Sequence, residues 1–300
     1  MSFQYRVQHR TTFSYASDVT LSQQLLRLVP RATPVQAVEN SVLLIDPTPM
    51  ASRNRTDYFG NLLTRISIQE PHRRLSVQAS STVTIDPPPP RVLENSPRWE
   101  LVRAEMRKPA THDAATAAGF CFPSPYIDVP PGITELIHDL FVPEAPMLAA
   151  TMALTQRIFK EFTYNGGVTD IWTPVKKVLE MRQGVCQDFA HLQIAALRAI
   201  GLPARYVSGY LLTHPQPGKP RLIGADESHA WLSVWVPGIG WVDFDPTNNS
   251  MPTHEHIVLG WGRDYGDVSP IKGFIVGGGA HQLKVSVDVS PLGAAVAGSL

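Results

Sequence analysis

The residues best placed to do covalent chemistry centre on Cys186. In Gly184-Val185-Cys186-Gln187-Asp188-Phe189-Ala190-His191 the thiol falls where a helix should begin. Phe189, Leu192, Ala196, Leu197 and Ile200 recur on one helical face, Gly201 offers a left-handed C′ position, and Pro203 forbids continuation. A thiol in a first helical turn lies among unpaired backbone N–H groups at the positive end of the helix dipole. Those groups favour a thiolate and can form half of an oxyanion hole. A cysteine alone says little, since free cysteines are among the most buried residues. Partners give it meaning. Ser228-His229-Ala230-Trp231 opens a predicted strand, Pro237-Gly238-Ile239-Gly240 is a tight turn, and Trp241-Val242-Asp243-Phe244-Asp245-Pro246-Thr247 closes the next strand. Antiparallel pairing would set His229 beside a carboxylate. Thiol, imidazole and carboxylate are the nucleophile, base and orienter of acyl-transfer enzymes. Asp243 and Asp245 share a strand face, so by geometry either could serve the histidine.

Other candidates carry less. Asp188 and His191 follow Cys186 without the i+3 or i+4 spacing that shares a helix face, and read as structural. His254-Glu255-His256 has a spacing that could ligate a metal, but with no third ligand it reads as a surface loop. No metal and no cofactor are expected. Trp172, Trp231, Trp235, Trp241 and Trp261 read as packing more than as a substrate platform, and Gly277-Gly278-Gly279 as a turn rather than a phosphate loop. Cys121 lies in a proline-rich loop with no helix start to activate it.

The elements that must position these groups are of two kinds. Residues 1–86 carry period-two patterning: Leu75, Val77, Ala79, Val83 and Ile85 alternate with polar residues, with Ser81 the one break. Leu62, Thr64, Ile66 and Ile68 repeat the pattern after Gly60-Asn61. Four prolines at 87–90 make a stiff spacer. Beyond them Ser96-Pro97 reads as a helix cap and first helical residue, and further helices are predicted over 146–162 and from Pro174 to near Arg182. Strands are predicted over 205–212, 230–236 and 241–244. This organisation is α+β: a β-rich domain at 1–86, a proline-rich linker at 87–97, a core at 98–262 and a strand-containing extension at 263–300. The N-terminal domain is expected to be structural, forming one wall of the substrate cleft or a subunit contact, so that a fragment starting near Arg91 would be poorly soluble.

Composition narrows the classes. The 300 residues are 43% hydrophobic and 17% charged, enough for a real core. The 26 basic and 26 acidic residues cancel, which gives no overall basis for binding nucleic acid or an acidic membrane surface. Two cysteines make no disulfide framework, the N-terminus has no signal-like apolar run, and no run of about 18 apolar residues occurs. A location in the cytoplasm is expected.

The block from Gly184 to Ala190, the stretch Arg198-Ala199-Ile200-Gly201-Leu202-Pro203-Ala204-Arg205-Tyr206-Val207-Ser208-Gly209-Tyr210, His229-Ala230-Trp231, and Gly240-Trp241 through Asp245-Pro246-Thr247, in this order, resemble the core of the transglutaminase-like superfamily. His9-Arg10-Thr11-Thr12-Phe13-Ser14-Tyr15, Arg27-Leu28-Val29-Pro30-Arg31, Asp57-Tyr58-Phe59-Gly60-Asn61 and the late Gly262-Arg263-Asp264-Tyr265 are similar to its bacterial members with a β-rich N-terminal region. The resemblance implies a nucleophile helix packed on an antiparallel sheet, as in papain, with Cys186, His229 and Asp245 as the triad; the Asp-Pro-Thr context favours Asp245 over Asp243. It implies an upstream side chain, Tyr164 or Trp172, as second oxyanion donor. It further implies a cysteine peptidase or amidase acting on a peptide or protein through a thioester. Transamidation is the alternative, a non-catalytic binding module the second, and ATP-grasp or proteasome-like proteins are possible pathway partners.

Overall fold

The computed structural model describes residues 1–213 and 227–292. Five strands come first: β1 (Phe3–Leu26), β2 (Gln36–Asp46), β3 (Ala51–Thr56), β4 (Leu62–Ile68) and β5 (His72–Ile85). Helices α1 (Trp99–Arg107), α2 (His112–Ala118) and α3 (Met147–Glu161) follow. Then come β6 (Thr163–Tyr164), α4 (Val175–Met181), β7 (Gln183–Gly184), α5 (Cys186–Ala199), β8 (Ala204–Leu211), β9 (Glu227–Val236) and β10 (Gly240–Phe244). The last described elements are β11 (His256–Gly262), α6 (Tyr265–Val268), β12 (Ile271–Gly277) and β13 (His281–Leu292). The fold is α+β.

The alternation over 75–85 buries Leu75, Val77, Ala79, Ser81, Val83 and Ile85 on one face of β5. Ser81 keeps the period because its hydroxyl lies 2.9 Å from that of Ser41 on β2, which satisfies a polar group at an inward position. The short strands expected at the N-terminus are joined there by a 24-residue one. β1 is irregular between Ser14 and Leu21; its first half lies between β5 and β13, its second between β4 and β12. The two strands after the core thereby complete a seven-stranded sheet that begins with the first residues of the chain.

The second sheet is antiparallel in the order β10-β9-β8-β11. Ala204, Tyr206, Leu232, Val234 and Phe244 from its strands pack with Leu192, Ala195 and Ala196 of α5 in the main core. α5 ends as its sequence requires. Gly201 adopts φ 77°, its N–H reaches the Arg198 carbonyl at 2.9 Å and the Leu202 N–H reaches Leu197 at 3.0 Å, a Schellman motif that satisfies two orphan carbonyls. Ser96 departs from expectation. α1 starts three residues later, and the Ser96 hydroxyl instead accepts the Leu148 N–H of α3 at 2.9 Å. The N-cap of α3 is Pro146, which has no side-chain acceptor, so a residue from another segment supplies it.

The two sheets meet through Tyr5, Val7, Val83, Val287 and Val289 on one side and Tyr210, Leu212, Ile257 and Leu259 on the other. A second junction guards β11, the edge of the core sheet. The Gln36 amide accepts the Val258 N–H and donates to the Val258 carbonyl, both at 2.8 Å. The Asn61 amide does the same to Trp261, at 3.0 and 2.8 Å. Side-chain amides thus stand in for a neighbouring strand. Gly260 leaves the space, since a Cβ there would lie 2.6 Å from Asn61 Oδ1. No described helix is long and apolar enough to cross a membrane.

Candidate active site

Cys186 is the first residue of α5, and its approach is built tightly. β7 pairs in parallel with β6, and the Asn165 N–H bonds the Gly184 carbonyl at 2.9 Å. Val185 is extended at the N-cap, and the third helical residue, Asp188, turns its carboxylate back to accept the Val185 N–H at 2.9 Å and the Thr169 hydroxyl at 2.7 Å. A Cβ on Gly184 would lie 2.8 Å from the Asp188 Cβ, so only glycine admits this cap. The first intrahelical bond runs from Phe189 N–H to Val185. The N–H groups of Cys186, Gln187 and Asp188 therefore precede the ladder, with the positive end of the dipole at the thiol.

His229, on β9, is buried, and its Nε2 lies 2.7 Å from Asp245 Oδ2. Cys186 acts on the same ring as hydrogen-bond partner and by charge; with Nε2 engaged, Nδ1 is the nitrogen left to face it. Burial alone would lower the imidazole pKa, but the bonds and charges of Asp245 and Cys186 outweigh it and raise it to about 10. Asp245 follows β10 in a tight loop closed by paired bonds with Ser250. Its Oδ1 accepts the backbone N–H groups of Thr247 and Asn248 at 2.9 and 3.2 Å. Its Oδ2 accepts from His229, from Asn248 Nδ2 at 2.7 Å and from His256 Nε2 at 3.1 Å. Burial opposes the charge, yet the bonds from His229 and His256 and their charges hold this carboxyl below the usual range.

The choice between the two aspartates is resolved by their partners. Asp243 accepts Trp231 Nε1–H at 3.0 Å and the Ser233 hydroxyl, and its charge acts on the buried Arg205. Trp231 is fully buried and stacks on His229 with 5.9 Å between centroids. Asp188 and His191 have structural partners: His191 is buried neutral, its pKa lowered to about 3 by burial and by Arg198, and its Nε2 accepts the Tyr265 N–H at 3.2 Å. Burial pushes the Cys121 thiol up to about 11, against a smaller pull from Arg198.

His256 corrects the reading of residues 254–256 as a surface loop. It is buried at the start of β11, held opposite Leu211 of β8, while His254 stacks on Phe3 with 3.8 Å between centroids. Nothing local in His-x-His reveals this, because the pairing that buries His256 is remote in sequence. Asn248 was missed for a similar reason: its role follows from the tight loop that turns it back on Asp245. Donor atoms of His229, Asp245 and His256 lie within 4.8 Å of one another, a spacing that could hold a metal ion. The Nε2 atoms of His229 and His256 both meet Asp245 Oδ2 in hydrogen bonds, while His256 Nδ1 has no partner.

Tyr164 and Trp172 both flank the first turn of α5. Tyr164 pairs with Gly184 through the backbone. Trp172 is 69% exposed and stacks on Tyr126, next to Ile171, whose carbonyl accepts from Gln187 at 3.2 Å. It is therefore not core. A cleft of about 1790 Å³ opens between the N-terminal region and the core, lined by Arg31, Arg205, Trp241 and Trp261; Trp231 and His256 reach its wall, and Cys186 does not.

Comparison with known proteins bears on the family and the fold. Residues 5–84 match the bacterial transglutaminase-like N-terminal region, and residues 135–246 match the transglutaminase-like superfamily core. An uncharacterized protein of Mycobacterium tuberculosis is 41% identical over 300 residues, covering 96% of this chain and 92% of its own length. A protein-glutamine gamma-glutamyltransferase of Pseudomonas aeruginosa is 33% identical over 132 residues, 41% of this chain and 19% of that protein. A Cytophaga hutchinsonii structure provisionally named a cysteine protease superposes with a TM-score of 0.77 at 20% identity, over 98% of this chain and 92% of that one, which shows a shared fold. With the bacterial N-terminal region and the core present in one chain, and Cys186 heading the helix on which the core is built, the protein belongs to the transglutaminase-like superfamily.

Proposed function

We propose that the protein is a cysteine-dependent acyl-transfer enzyme that hydrolyses an amide or peptide bond in a peptide or protein. The observation that carries this is the placement of His229 between Asp245, at 2.7 Å from Nε2, and Cys186 at the start of α5. The raised imidazole pKa suits His229 to hold the thiol proton as Cys186 attacks. The thiolate attacks the carbonyl carbon, a C–S bond forms, and the oxyanion meets backbone N–H at the head of α5. The tetrahedral intermediate collapses as the C–N bond breaks and His229 delivers its Nδ1 proton to the leaving amine. Neutral His229 then takes a proton from water, whose oxygen attacks the thioester, and the C–S bond breaks to release the acid. Asp245 keeps the ring oriented and stabilises its charged form throughout.

A second reading, transamidation, is favoured by the Pseudomonas relative, whose name is that of a glutamine transferase. In that case a primary amine replaces water at the thioester. The provisional protease name of the full-length structural neighbour supports hydrolysis. Incubating peptides in ¹⁸O water, with and without an added primary amine, separates the two. Labelled carboxylate unchanged by amine supports the peptidase; amide conjugates with little labelled acid overturn it.

A further inference from the structure

We infer that His256 is a positioning residue that fixes Asp245 through its Nε2–H, making the triad a four-residue device; this rests on the acyl-transfer reading above. The argument begins with hydrogen-bond supply. Asp245 is fully buried, and both of its oxygens are met by donors: two backbone N–H groups on Oδ1, and His229, Asn248 and His256 on Oδ2. An ionised carboxylate only accepts, so the nitrogen of His256 that meets it must carry the proton. The tautomer of His256 is thereby set, and its Nδ1 is left buried without a hydrogen-bond partner.

Leaving that nitrogen unpaired costs stability. The imidazole stands edge-on to Trp231, with centroids 5.2 Å apart and planes at 82°. A phenyl ring would fill this aromatic pocket and leave no orphan. What the imidazole adds over a hydrocarbon is one N–H, and that N–H goes to the oxygen that receives His229. Three donors on one oxygen stop the carboxylate from rotating or drifting from the His229 ring. They also disperse its charge, so that it orients the imidazolium without drawing off its proton. Trp231 couples the two imidazoles sterically, stacking on His229 and packing on His256.

Among the described residues, ionisable groups approach His256 from several elements, and Arg31 and Arg205 line the same cleft. Asp245 and His229 meet it on the Nε2 side, Cys186 lies beyond His229, Asp243 holds the Trp231 indole, and His254 and Glu255 precede it, with Tyr5 of β1 near Glu255.

The test uses the full chain carrying Cys121→Ser, so that alkylation by iodoacetamide reads Cys186 alone. The second-order rate is measured from pH 5 to 9 for this protein and for His256→Phe and His256→Gln, beside the low-field imidazole N–H protons in the NMR spectrum. With the Phe variant folded, the rate at pH 6 should fall about 10-fold, the loss expected for one bond to a charged group, and the His229 N–H signal should move. Gln, which keeps a donor, should restore the rate to within about twofold. A Phe variant with an unchanged pH profile and an unmoved His229 signal overturns the inference. If Phe does not fold, the parent spectrum and the Gln variant decide: two low-field imidazole protons, one of them lost in Gln, support it, and a single one overturns it. Should the parent Cys186 react as a free thiol does, the acyl-transfer reading fails, and the two proton signals still report on the His256 bond.

Discussion

Asp243 and Asp245 stand two residues apart and serve different rings: Asp245 Oδ2 lies 2.7 Å from His229 Nε2, whereas Asp243 Oδ2 accepts the indole N–H of Trp231 at 3.0 Å. The first orients the imidazole; the second ties down the indole that packs against it. Asp245→Asn offers His229 an amide where it needs a carboxylate, and should slow turnover by about 10⁴-fold, as loss of the orienter does in such triads. Asp243→Asn should instead cost about 1–3 kcal/mol of stability through weakened bonds to Trp231 and Ser233. Peptide hydrolysis together with thermal melts would separate the two; equal losses of activity would refute the assignment.

The parts of the site that announce themselves are those built from local signals. α5 has a legible start at Cys186, an apolar face and a Gly201 stop, and the Pro237-Gly238-Ile239-Gly240 turn sets two strands side by side. The return of β12 and β13 to β1 has no such signal, because β-pairing between the two ends of a chain leaves no mark in either segment. His256 is hidden for the same reason: β11 places it only by pairing with β8. The two aspartates were ambiguous because alternation puts both on one face, and only the loop closed by Ser250 turns Asp245 towards the histidine.

The two cysteines should react very differently. Cys121 is partly buried and its thiol is pushed up to about 11, so little thiolate exists at neutral pH. Cys186 lies beside His229 at a helix start. Limited alkylation at pH 7 followed by peptide mass spectrometry should find the label on Cys186. Cys186→Ala should fold, lose the label and lose turnover, while Cys121→Ser keeps activity. Preferential labelling of Cys121 would show the nucleophile to be misassigned.

Stability should fall in mild acid. His9, held between Tyr210 and Thr11, has its pKa lowered from 6.5 to about 4 by burial, and His191 is lowered to about 3. Both fold neutral, so below pH 6.5 the unfolded chain binds more protons and stability drops as pH falls. His9 alone accounts for up to about 3 kcal/mol once pH reaches its folded value. His229 has the opposite sign: raised to about 10, its contribution is whole below 6.5 and is lost as pH rises through 10. Denaturant midpoints at pH 7 and pH 5 should differ, and His9→Gln should narrow the gap. A gap of the same size in that variant would contradict the role given to His9.

Asn61 brackets Trp261 with two hydrogen bonds on the open edge of β11. Asn61→Ala strips both and leaves a backbone N–H and carbonyl to find other partners, at a cost of about 1–3 kcal/mol. Because β11 begins at His256, the loosened edge should also raise amide exchange of residues 256–262 more than that of β9. Uniform exchange across the core sheet would mean that the N-terminal region does not brace this strand.

Removing residues 1–90 tests the same relationship at larger scale. The fragment from Arg91 loses β1, with which β12 and β13 pair, so two strands are left with unpaired edges. It also exposes Tyr210, Leu212, Ile257 and Leu259, which pack against Tyr5, Val7 and Val83, and it frees the edge of β11 held by Gln36 and Asn61. An apolar face beside open strand edges is a template for aggregation. The fragment should therefore be recovered mainly as insoluble or oligomeric material, while Cys186, His229 and Asp245, which all follow residue 91, are retained in sequence. Size-exclusion chromatography with static light scattering measures this directly. A monomeric fragment that alkylates Cys186 at the rate of the full chain would show that the N-terminal sheet is an independent module and not a brace for the core.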